Sequence, residues 1–150
     1  MLSPWRGGPV GAAFVAVAGA TALAAATGPA PDLVVAEMRL AGAGMRIGRC
    51  NVVEVTVHNA GRAPAPPTSL RLVLVRPGAP APQDHKSAPV AELAAGQRRA
   101  LGIGGVFVPE PGPWRIIATV DAARAVAESD EGNNERVLDV ASVPSLCSLP

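Results

Sequence analysis

Between Asp121 and Asn134 the chain gathers six side chains able to offer oxygen ligands: Asp121, Glu128, Asp130, Glu131, Asn133 and Asn134. Ca²⁺ takes about six to eight such oxygens, so calcium binding is the chemistry this cluster could perform. The spacing is not that of an EF-hand loop, because Gly132 follows Asp130 too early. The competing reading is a hydrogen-bonded reversal. There Asp121 caps the turn, Glu128 accepts backbone amides, and Asn133 and Asn134 take unusual φ. Backbone amides and Arg124 would then offset the repulsion among the four carboxylates. Such side chains occupy turns commonly without metal, so the structural reading is preferred and no metal ligand is assigned.

Catalytic chemistry has little to build on. His58 falls on an outward strand position and His85 in a proline-rich stretch. Neither stands at a metal-ligand spacing or beside a nucleophile motif. GxSxG, HExxH, Walker and dinucleotide glycine patterns are absent from the sequence. The chain is therefore read as non-enzymatic, with no catalytic residue and no cofactor.

The elements that position the acidic reversal are strands. Trp114, Ile116, Ala118 and Val120 alternate with Arg115, Ile117 and Thr119, the period of a half-buried strand. Glu135 to Val143 reads as the returning strand. Upstream, Leu33 to Leu40 is a first strand, with Leu33 and Val35 on one face and Val34, Ala36 and Met38 on the other. Residues 41 to 49 hold three glycines and read as a turn. Val52 to Asn59 puts Val53, Val55 and Val57 inward. Leu70 to Val75 puts Leu70, Leu72 and Leu74 inward and Arg71 outward. Residues 76 to 89 carry four prolines and read as an extended loop. It is either a polyproline ligand or, preferably, a cap on a sheet edge, since proline lacks the donor an edge needs. Val90 to Leu93 is a short strand. Arg98 to Val108 is a strand in which Gly102, Gly104 and Gly105 suggest a bulge.

The chain has 150 residues and a formal charge of +1, room for one domain and no electrostatic case for nucleic acid. Its only rings are Trp5, Phe14, Phe107 and Trp114, so stacking platforms are scarce. Residues 1 to 26 read as a signal peptide: Arg6, an uncharged Val10 to Ala26 run, and Ala24-Ala25-Ala26 as a cleavage site. The alternative is an uncleaved N-terminal anchor, the one route to a membrane. No cysteine lies near the cleavage site, which argues against a lipoprotein.

Four pieces of the chain resemble the CARDB family, the cell-adhesion-related domains of bacterial and archaeal surface proteins. Pro31-Asp32-Leu33-Val34-Val35 is similar to the family's opening PDLvv. Val53 to Gly61 resembles its vtvtVkNxG strand and turn. Leu93-Ala94-Ala95-Gly96 resembles its LaaG turn, and Asp121 with Val126 to Asn134 its D…vxEsdExNN signature. The order and spacing agree over roughly residues 31 to 141. Pro77 to Pro89 is longer than the family pattern, and Gly102 to Gly105 stands where a β-branched strand is expected. The resemblance implies an all-β, immunoglobulin-like or fibronectin-III-like antiparallel sandwich of about seven strands, spanning residues 31 to 143, with 144 to 150 as a tail.

In such a sandwich the second strand starts at the end where the last one finishes, so Cys50 and Cys147 would meet in a disulfide. The alternative is two unpaired thiols. The expected function is a secreted or cell-envelope binding or adhesion module, recognising a protein or surface partner through loops or a sheet edge. Two alternatives stand beside it: a structural or assembly accessory of an envelope complex, and a calcium-dependent adhesion domain.

Overall fold

The computed structural model describes Gly28 to Cys147, so the expected signal peptide lies outside the described residues. Seven strands follow one another: β1 (Leu33–Leu40), β2 (Met45–Asn59), β3 (Thr68–Val75), β4 (Asp84–Val90), β5 (Arg98–Val108), β6 (Gly112–Val120) and β7 (Glu135–Leu146). One sheet is β1-β2-β5 and the other is β4-β3-β6-β7. The 15-residue β2 belongs to both. Its first residues, Met45 to Ile47, run parallel to Ser142–Leu146 of β7, while the rest pairs with β1 and β5. The sandwich is thus antiparallel except at this one closing seam.

Alternation explains the core. Trp114, Ile116, Ala118 and Val120 of β6 are buried against Leu70, Leu72 and Leu74 of β3, with Val53, Val55 and Val57 of β2 in the same core cluster. Trp114 is 1% exposed, and its Nε1 donates to Glu110 O and Ser142 Oγ, each at 3.2 Å. A ring this size is buried only where its polar tip finds an acceptor. Gly104 and Gly105 lie where the β2–β5 register slips, between Ile103 and Val106, and Gly105 has φ of 71°. That is a bulge opened by a left-handed glycine.

Five expectations need correction. Met38 faces inward with Leu33 and Val35, because the β1 register slips between Val35 and Glu37. One extra residue reverses the face of everything after it. The turn after β1 ends at Gly44, and β2 begins at Met45, so Cys50 lies within β2. The proline-rich stretch is a loop only to Gln83. Residues 84 to 90 form β4, whose Pro89 is tolerated because β4 is an edge strand. Val90 closes β4, and Leu93 instead forms a lone bridge with Ala65. Finally, β7 runs on to Leu146, three residues beyond the expected end.

Cys50 and Cys147 are joined by a disulfide. It locks the parallel seam, where Cys147 N also donates to Ile47 O at 2.8 Å. Gly48 makes the closure feasible. A Cβ there would stand 2.9 Å from Cys147 Sγ, and its φ of 114° suits glycine.

Candidate functional site

The six oxygen-bearing residues of the reversal do not converge on one point. Asp121 is buried and ends β6 with φ of 49°. Its Oδ1 accepts from Thr68 Oγ1 at 2.6 Å and Ala125 N at 3.1 Å, and its Oδ2 from Val126 N at 2.9 Å. Asp121 therefore caps the turn and ties it to β3. Glu128 accepts from Leu33 N with Oε2 and from Asn134 Nδ2 at 2.6 Å with Oε1. Asp130 accepts from Gly132 N at 2.8 Å, and Glu131 from Glu128 N at 3.0 Å. Asn133 donates to Asp32 Oδ1 at 2.8 Å.

Burial pushes the Glu128 carboxyl above its ordinary value. The amide of Leu33 and the side chain of Asn134 oppose that shift, while the charges of Glu131 and Asp121 add to it. Among the described residues, no group of three or more His, Cys, Asp or Glu side chains is placed to share a metal ion. Two details differ from expectation. Positive φ falls on Asp121 and Arg124, not on Asn133 and Asn134. Arg124 is exposed and makes no ion pair among the described residues. The amide donors, also expected, relieve the repulsion without it.

Several partners in this network escape a reading of the reversal alone. Asp32 N donates to Asn59 Oδ1 at 3.1 Å, and Gly61 N donates to the same oxygen at 3.1 Å. The fully buried Asn59 gives its Nδ2 to Ala63 O at 2.8 Å and Leu93 O at 3.0 Å. Gly61 must be glycine, since a Cβ there would meet Ala30 O at 2.4 Å and Asp32 N at 2.5 Å. All four sequence pieces, around Asp32, Asn59, Leu93 and Glu128, are thus stapled together at one pole of the sandwich. Asp84 is a further partner without a motif. It accepts from Phe107 N at 2.7 Å and Lys86 Nζ at 3.2 Å, joining β4 to β5. His58 is half-buried on β2 and His85 exposed on β4, on strands of different sheets.

The strand edges differ sharply. On β1, Leu33 N is taken by Glu128 and Ala36 O by Arg136. On β4, Pro89 removes a donor. On β7, the parallel run of β2 and the disulfide occupy the far end. On β5 the inner edge faces β2, with Val57↔Arg99, Val55↔Leu101 and Val53↔Ile103 as partners, and Asn59 N donates to Gln97 O at 3.0 Å. Antiparallel geometry then turns the backbone groups of Arg98, Ala100 and Gly102 outward. Among the described residues no strand pairs with that side.

A sandwich whose four signature pieces meet at one pole defines a class of small all-β domains. The CARDB family model matches residues 30–137, and the chain belongs to that family. Among solved structures, it is similar to a CARDB domain from Pyrococcus furiosus determined in complex with di-metal ions, at 26% identity and a TM-score of 0.61, covering 77% of this chain and 96% of that one. It is also similar to a domain of a candidate cell-surface protein from Methanosarcina acetivorans, at 20% identity and a TM-score of 0.57, covering 78% and 96%. No curated protein matches the chain.

Proposed function

We propose that this protein is an exported, non-catalytic binding module of the cell envelope, which recognises a protein or surface partner through a sheet edge. The observation that carries the reading is the asymmetry of the edges. β1 is capped at Leu33 and Ala36, β4 lacks a donor at Pro89 and β7 is seamed at its far end, whereas β5 leaves Arg98, Ala100 and Gly102 in succession without backbone partners. Open edges invite strand pairing and are usually blunted, so one left open fits a docking role. Membership of the CARDB family and the likeness to a candidate cell-surface domain support the location. The disulfide agrees with an oxidising compartment.

The Pyrococcus furiosus relative holds di-metal ions. In this chain a cation-dependent version of the module would rest on Asn133 Oδ1 and Asn134 Oδ1, buried oxygens that accept no hydrogen bond. The carboxylates around them are engaged with amide donors, so the module needs no metal to hold the reversal.

Cross-linking of the tagged protein in its host, followed by fractionation, tests the proposal. The expected result is an N-terminus near Thr27 and a discrete cross-linked partner in the envelope fraction. Intact Met1 on cytosolic protein with no envelope adduct contradicts it.

A further inference from the structure

The occupant of the β5 edge can be specified further, resting on the binding-module reading. We propose that the edge from Arg98 to Ile103 takes an extended segment of a partner protein, with large apolar side chains at alternate positions and acidic residues at the Arg98–Arg99 end.

Three observations lead there. First, the outward backbone groups recur every second residue, at Arg98, Ala100 and Gly102, the repeat of a strand and of no other peptide conformation. The run has a built end. Beyond the bulge at Gly105 the phase shifts, and Phe107 N is already held by Asp84 at 2.7 Å.

Second, the outer face beside this edge is hollow. Ala100, Gly102 and Gly104 are exposed and nearly lack side chains. A Cβ at Gly102 would meet only Val52 Cγ1, at 4.0 Å, and Val52 is an exposed apolar residue at 37%. An incoming strand with bulky side chains opposite Ala100 and Gly102 would fill the hollow and cover Val52. A second copy paired through its own β5 would bring Ala100 and Gly102 again, small against small, and leave Val52 uncovered.

Third, the start of the edge holds a positive charge with no ion-pair partner among the described residues. Arg98 lies 3.7 Å from Glu37 across the outer face of β2, drawn away from the edge it would otherwise guard. Arg99 is half-buried and makes no ion pair among the described residues. Charge complementarity therefore asks for carboxylates on the segment that passes this end.

A fluorescein-labelled probe peptide alternating Val and Tyr with Thr, ending in two Glu, tests the assignment by anisotropy, with a Lys-ended version as comparison. Saturable binding of the Glu peptide is expected, with binding of the Lys peptide weaker by about tenfold or more. Ala100→Pro should abolish it by removing an outward donor. Gly102→Lys should do the same while leaving the melting temperature in place, since the site has space for the side chain. Absence of saturable binding, or binding that survives both variants, overturns the assignment, as does β5-dependent self-association without peptide binding. Envelope capture that persists in both variants would overturn the edge assignment while leaving the binding-module reading intact.

Discussion

Asn133 donates its side-chain amide to Asp32 Oδ1 at 2.8 Å, across 101 positions of sequence. The bond joins the end of the acidic reversal to the segment leading into β1. Beside it, Glu128 reaches Leu33 N, so the reversal fastens the first strand at two adjacent points. Asn133→Ala and Asp32→Ala should each lower stability by about 1 to 2 kcal/mol. The double variant should cost less than the sum, with a coupling of about 0.5 kcal/mol or more. Urea melts of the four proteins give that coupling, and strict additivity would show that the contact contributes nothing.

The disulfide predicts a larger effect. It spans 97 positions, and removing a cross-link of that reach by Cys50→Ser should cost about 2 to 5 kcal/mol. Gly48→Ala should also destabilise, by more than about 1 kcal/mol, because it adds a Cβ against Cys147 Sγ at a positive φ. Thiol titration under native conditions should find no reactive cysteine in the parent. Reactive thiols in protein purified from an oxidising compartment would contradict the pairing.

If the acidic reversal is a staple, Ca²⁺ should do little. The melting temperature in millimolar Ca²⁺ should match that in chelator. A site loaded at a hundredfold excess over Kd would add about 2.7 kcal/mol. A saturable, Ca²⁺-specific rise that Glu128→Gln removes would establish a metal site and move the protein to the calcium-dependent alternative.

Glu128 also predicts a pH dependence. Its folded carboxyl is raised above the ordinary 4.5, mainly by burial, so the folded state binds the proton more tightly than the unfolded chain. Its contribution is fully present below about 4.5 and is lost as pH rises through the higher folded value. The melting temperature of the parent relative to Glu128→Gln should therefore increase on acidification from neutral pH. A relative decrease would mean that the carboxylate is the favoured form.

Much of this was legible in the residues. The alternation at Trp114 marked β6 and its buried face, and the glycines of β5 marked the bulge. Alternation reports which side is buried, but it does not report register. The slip at Ala36 therefore leaves no mark in the sequence, and simple alternation puts Met38 on the face opposite the one it takes. Prolines argue against central strands only, which is why β4, an edge strand, hid beneath Pro89. The staples of the acidic reversal were partly visible, because Asp121 and Glu128 stood out by type. Their partners, Thr68, Leu33 N and Asp32, lie far away in sequence and carry no local signal. The open β5 edge was not legible at all, since it depends on what the other strands leave uncovered.

Native-state amide exchange, read by NMR with and without the captured envelope partner, tests the central claim most directly. In the free protein, the amides of Arg99, Leu101 and Ile103 should be protected by β2, while those of Arg98, Ala100 and Gly102 exchange fast. On binding, the second set should slow to match the first. Outward amides already protected in the free protein, or unchanged by the partner, would contradict an open docking edge on β5.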